Sequence, residues 1–240
     1  MSDAKSVLKS LSLAGVEWEL VESHGARADT ATAPARPAMA GFVAPKATAP
    51  VASGDIMETA IRLADLPDIA LGIGKFETHP LFSTAKNTVV PKMPVTDSVS
   101  ILVVTDIPSL ADDGNGNILS GADGELFDKM LKAINLTRDQ IAITPLVFWR
   151  PPGGRAPTTD ELAFCKPFVD KIIKTLKPKK ILTLGALAAK TISGATLPKD
   201  HGKEISAHDT TCIAIYKPDF ILQNPNVKPA IWNALKLISG

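Results

Sequence analysis

The sequence predicts an α/β fold, a mainly parallel sheet with helices on both faces. Three observations carry this. From residue 98 onward, short near-continuous apolar runs alternate with helical patterns, as strands buried on both faces require. With 240 residues, 45% of them hydrophobic, the chain can build a sizeable core. No apolar run reaches the roughly 18 residues that cross a membrane.

In order along the chain, residues 1–23 predict a short helix with Val7, Leu8, Leu11 and Leu13 on a loose apolar stripe. Residues 24–55 hold eleven Ala and four Pro with almost no large apolar side chain, the composition of a flexible linker. The main domain spans 56–240. Asp55 and Glu58 have capping-box spacing, and Ile56, Ala60, Ile61 and Leu63 face inward until Pro67 stops the helix. Residues 98–107 form a strand. Residues 124–136 form a helix with Leu126, Phe127, Met130, Leu131 and Ile134 on one face. Residues 141–148 form the second strand. Thr158 and Glu161 open a helix that buries Leu162, Cys165, Phe168, Val169, Ile172, Ile173 and Leu176. Residues 180–185 form the third strand, running straight into a helix over 186–192. The fourth strand covers 211–216, and a closing helix covers 226–238.

Open parallel sheets bind ligands outside the carboxyl ends of their strands. The loops after Ile107, Phe148, Gly185 and Tyr216 are therefore the expected site.

The formal net charge of +1 excludes a strongly basic protein and an acidic disordered one. The distribution is uneven: net −2 over residues 1–97, −4 over 98–140 and +7 over 141–240. A basic C-terminal part suits a phosphate-facing surface. The run Lys171, Lys174, Lys177, Lys179 and Lys180 reads as a solvated helix face. Two cysteines, Cys165 and Cys212, support neither a disulfide framework nor a four-thiolate site. The first ten residues lack the apolar core of a signal peptide, so a reducing cytoplasm is expected. Several motifs fail. Leu71-Gly72-Ile73-Gly74-Lys75 lacks the spacing and the Ser or Thr of a phosphate loop. Asp113, Asn115 and Asn117 lack the Gly and Glu of a calcium loop and read as a turn. No GxGxxG or GxSxG is present.

One run is specific: Trp149-Arg150-Pro151-Pro152-Gly153-Gly154-Arg155-Ala156-Pro157-Thr158, followed by Glu161, Cys165 and Pro167. Together with residues 121–128, residues 179–185 and Asn224-Pro225, it resembles the family-4 type of uracil-DNA glycosylases, in matching order over roughly residues 70–240. The resemblance implies a three-layer α/β/α sandwich around a four-stranded, mainly parallel sheet. It also implies a pocket for a uracil flipped out of DNA, with DNA as partner. Such a pocket stacks on the base, reads its edge and stabilises the departing anion, while a carboxylate orients water or steadies the sugar cation.

Carried over position by position, the resemblance makes Asp106 and Lys217 the catalytic candidates. The base pocket would be Pro108, Leu119, Gly121 and Pro145, with Arg150, Arg155 and Lys217 toward DNA. Four of these positions depart from the family. Its Gly-Glu-x-Pro-Gly is here Thr105-Asp106-Ile107-Pro108-Ser109, and its stacking aromatic is Leu119. Its Thr-Asn is Thr144-Pro145, and its His-Pro is Lys217-Pro218. The four cysteines of its iron–sulfur cluster correspond to Phe76, His79, Trp149 and Cys165, so neither metal nor cofactor is expected. Cys165 reads as a small buried residue, His79 as an ordinary loop residue and Trp149 as a space filler. The pocket is degenerate, and uracil excision is expected to be weak, altered or lost. Two alternatives stay open: a non-catalytic DNA-binding module whose N-terminal helix engages a protein partner, and a structural subunit that keeps only the fold. A monomer is expected.

Overall fold

The computed structural model describes residues 53–94 and 99–239. The proposed helix over 1–23 and all but the end of the proposed linker lie outside these residues. The chain opens on helix α1 (Ser53–Ala64), two residues before the proposed cap at Asp55. Ile56, Ala60 and Ala64 are buried, whereas Ile61 is exposed, contrary to the inward face expected of it. Helix α2 (Ile69–Gly74) follows, capped by the Asp68 carboxylate accepting from Leu71 N. The Gly72 and Gly74 that echo a phosphate loop belong to this helix.

Strand β1 (Ile101–Thr105) is wholly buried. The segment read as a turn is a short helix, α3 (Leu110–Asn115), opened by a reciprocal capping box between Ser109 and Asp112. Helix α4 (Gly121–Ala133) buries Phe127, Met130 and Leu131. Strand β2 (Ala142–Pro145) is shorter than expected, because after Pro145 the chain leaves the ladder. Helix α5 (Thr159–Leu176) carries the Thr158–Glu161 capping box that its sequence announces. Strand β3 (Lys180–Leu184) leads through Gly185 into helix α6 (Ala186–Ser193). Strands β4 (Glu204–Ala207) and β5 (Thr210–Ile215) form a hairpin, and helices α7 (Pro218–Gln223) and α8 (Lys228–Ser239) complete the domain.

The sheet has five strands in the order β2-β1-β3-β5-β4. The first four run parallel, and β4 pairs antiparallel at the edge. The four-stranded expectation is thus corrected by one edge strand that leaves the α/β/α architecture unchanged. Two apolar layers cover the sheet. One includes Phe76, Phe148, Trp149, Phe164 and Phe168; the other includes Phe127, Met130, Ile231 and Leu235. No described helix is long and apolar enough to cross a membrane.

Candidate active site

A cavity of about 380 Å³ opens at the carboxyl ends of β1 and β3. Its floor is Thr105 and Leu184. Asp106, Ile107, Pro108 and Ser109 wall it from the loop after β1, and Leu119 and Asp123 from the start of α4. Arg150 and Gly154 come from the loop after β2, and Lys217, Pro218 and Asp219 from the start of α7. Three of the four expected loops converge here, because parallel strands release their chain on one side of the sheet, whereas the loop after Gly185 adds no residue to the lining.

Asp106 is fixed by the turn from β3 to α6. Its Oδ1 accepts the Ala188 N–H at 2.7 Å. Gly185 sits beneath it at φ 111°, a conformation reserved for glycine. A Cβ there would fall inside the Asp106 carboxyl. Burial pushes the Asp106 carboxyl above its ordinary value, opposed by the Ala188 amide and Lys217. Lys217 caps the start of α7 and pairs with Asp219 at 2.7 Å.

Leu119 lines the cavity in a left-handed conformation, φ 52°. Arg138 holds it there, donating to the carbonyls of Ile118 (3.1 Å), Leu119 (2.8 Å) and Gly124 (3.2 Å). Backbone held in such a region costs about 1–3 kcal/mol and persists where surrounding bonds impose it.

Pro108, Leu119, Arg150, Asp106 and Lys217 therefore meet in one cavity. Three other candidates stand outside its lining. Gly121 begins α4 at φ 60° and is exposed. Pro145 is buried at the end of β2, in register with Thr105, and does not reach the wall. Arg155 makes a two-bond fork with Glu161, at 2.8 and 2.6 Å. Glu161 also accepts the Thr158 N–H at 2.7 Å, so Arg155 pins its own loop to the head of α5. Arg150 likewise spends one donor internally, on the Pro108 carbonyl at 2.7 Å. Sequence reasoning missed Asp123 and Asp219. Acidic residues in a first helical turn look like ordinary partners of the helix dipole.

Behind this wall, the four positions corresponding to cluster ligands do converge. His79 stacks on Trp149 with ring centroids 4.6 Å apart, and Phe76 meets His79 at 5.4 Å and Trp149 at 6.0 Å. The Cys165 Sγ lies 3.5 Å from His79 Nε2. A [4Fe–4S] cluster needs four ligands, normally thiolates. One thiol, pushed by burial to about 12, and a space filled by three rings do not fit it.

His79 is not the ordinary loop residue its sequence context suggests. It is 2% exposed. Its Nδ1 accepts the Leu81 N–H at 3.1 Å, so the ring proton sits on Nε2 and donates to the Glu161 carbonyl at 3.1 Å. Burial holds the ring below its ordinary value. An unfolded histidine protonates as pH falls through about 6.5, whereas folded His79 resists until lower pH. Stability from this group is therefore present above about pH 6.5 and is lost as pH falls toward the folded value. Thermal melts from neutral pH downward should show a falling Tm, with a shallower fall in His79→Asn. Part of the slope will persist, because burial lowers His201 in the same direction.

Fold and cavity together define an α/β protein with an open cavity at the strand ends, walled in part by a half-buried, backbone-anchored carboxyl. The family model described as Uracil DNA glycosylase superfamily matches residues 93–236, and the chain belongs to that superfamily. Three relatives are each named type-4 uracil-DNA glycosylase. The protein from Sulfurisphaera tokodaii is 33% identical over 58% of this chain and 68% of its own length. That from Archaeoglobus fulgidus is 30% identical over 55% and 71%. That from Pyrobaculum aerophilum is 26% identical over 59% and 78%.

Proposed function

We propose that this protein acts on a base flipped out of DNA, as an N-glycosidic hydrolase whose uracil excision is weak or altered. The observation that carries the reading is Asp106, half-enclosed at the carboxyl end of β1 and held by the Ala188 amide in the wall of a cavity of nucleobase size. A carboxylate so placed can orient the attacking water or steady the developing sugar cation. Lys217 supplies the cation nearest a departing base, but it already shares its charge with Asp219.

Two features favour weak activity on uracil. Leu119 offers an aliphatic face where a stacking ring would serve. The cavity wall also sets four carboxylates, Asp106, Asp112, Asp123 and Asp219, against the two cations Arg150 and Lys217, which disfavours an anionic leaving group. With Arg150 and Arg155 engaged within the protein, DNA contact falls mainly to Lys217 and the basic C-terminal part.

Single-turnover cleavage of uracil-containing single- and double-stranded oligonucleotides tests the reading. Slow release is expected, reduced about 10²-fold or more in Asp106→Ala. Fast multiple turnover on uracil would overturn the weak-activity reading, and an unchanged rate in Asp106→Ala would overturn the role of Asp106.

A further inference from the structure

Three of the four carboxylates in the cavity wall are already satisfied. Asp112 accepts the Ser120 N–H at 2.6 Å and the Ser109 N–H at 2.9 Å. Asp106 accepts the Ala188 N–H at 2.7 Å, and Asp219 pairs with Lys217 at 2.7 Å. Asp123 is different. It is half-buried in the wall and makes no hydrogen bond or ion pair among the described residues. Burial first, then Asp219 and Asp112, raise its carboxyl above the ordinary value, with Lys217 opposing them. Its backbone is held in place, since it lies in the first turn of α4 between the Leu119 and Gly124 carbonyls that Arg138 grips. Without a partner in the protein, and with its oxygens open to the cavity rather than sealed from it, the carboxylate can accept from the N–H donors of a ligand.

We infer that Asp123 sets base specificity, selecting a base whose edge presents adjacent N–H donors, as a guanine-type edge does, over uracil. The inference rests on the reading of this cavity as a base pocket. The chemistry of the edges decides it. Uracil offers one ring N–H between two carbonyl oxygens, so a carboxylate that accepts the N–H meets at least one oxygen lone pair. A guanine-type edge offers a ring N–H beside an exocyclic amino group, which matches the two oxygens of one carboxylate. Lys217, at the start of α7, supplies the cation that a neighbouring base carbonyl would face. The cavity volume of about 380 Å³ leaves room for a bicyclic base.

The test uses the full chain and oligonucleotides identical except for one position, which carries uracil, 8-oxoguanine, N7-methylguanine or an undamaged base. Single-turnover excision and equilibrium binding at one salt concentration are measured for the wild type, Asp123→Asn and Asp123→Ser. Asn places an amide donor where Asp has only acceptors, and thermal melts check that both variants fold. The wild type should favour a guanine-edge lesion over uracil. Asp123→Asn should shift that ratio toward uracil by about tenfold or more, the scale of one good bidentate base contact. Asp123→Ser should weaken the lesion without gaining uracil. A wild-type preference for uracil, or an equal effect of Asp123→Asn on every oligonucleotide, overturns the inference and leaves the base-pocket reading standing. If no modified base is bound or excised better than the undamaged one, the base-pocket reading itself falls and this inference with it.

Discussion

Trp149→Ala is expected to lower the free energy of unfolding by about 3–5 kcal/mol, the cost of truncating a fully buried indole. The ring is 1% exposed. It stacks on His79 and meets Phe76, Phe82 and Phe148 at centroid distances of 6.0, 6.0 and 5.8 Å. Its Nε1–H donates to Thr88 Oγ1 at 2.9 Å, which ties the segment before β1 to the loop after β2. Truncation removes the buried area, leaves a void among rigid rings and orphans the Thr88 hydroxyl. The rings cannot collapse into the void, because His79 is held at both nitrogens and Phe76 and Phe148 also pack on Phe168. Urea denaturation at neutral pH measures the loss. Trp149→Phe, which keeps most of the packing, should lose clearly less. A loss below about 2 kcal/mol for Trp149→Ala would mean that these rings are loosely packed and the region can relax.

This ring cluster also shows what the sequence could and could not disclose. The residue types at positions 76, 79, 149 and 165 already exclude a four-thiolate site. The role of His79 was hidden, since its partner is the Glu161 carbonyl, 82 residues away. The parallel strands were legible because burial on both faces writes itself as unbroken apolar runs. Strand β4 was not, because at this edge Glu204 and Ser206 are exposed and Ile205 and Ala207 only half-buried. Its hairpin turns at His208 and Asp209, both at positive φ, without the Asn-Gly or Asp-Gly that would mark it. Asp106, Leu119 and Lys217 could be placed in the site because each lies near a strand end or carries a matched motif. Asp123 could not, because only tertiary packing brings the start of α4 to the cavity, and Asp219, although it stands two residues after Lys217, was hidden by its resemblance to an ordinary first-turn acid. Pro145 drew notice through its motif, yet its place in the β2 ladder keeps it off the wall.

Gly185→Ala is expected to disable the site as thoroughly as removing Asp106, and to destabilise the fold by about 1–3 kcal/mol. At φ 111° an alanine is strained whatever space surrounds it. Here there is no space, because the added methyl would overlap the Asp106 carboxyl. Either Asp106 swings away and gives up the Ala188 N–H, or the turn from β3 to α6 shifts and carries that N–H with it. Both routes misplace the carboxyl, and a displacement of about 1 Å can cost about 10²-fold in rate. The part of the destabilisation due to collision is separable from the part due to φ. In Asp106→Gly the colliding side chain is gone, so adding Gly185→Ala should then cost only the backbone strain. The double variant should thus be more stable than the sum of the single changes predicts, by more than the roughly 0.3–0.5 kcal/mol within which independent sites add. Strict additivity would mean that Gly185 and Asp106 do not share space, and the anchored carboxyl would lose its structural basis. A non-additive result, with the Gly185→Ala rate falling to that of Asp106→Ala, would show that one glycine at the end of β3 aims the carboxyl on which the proposed chemistry depends.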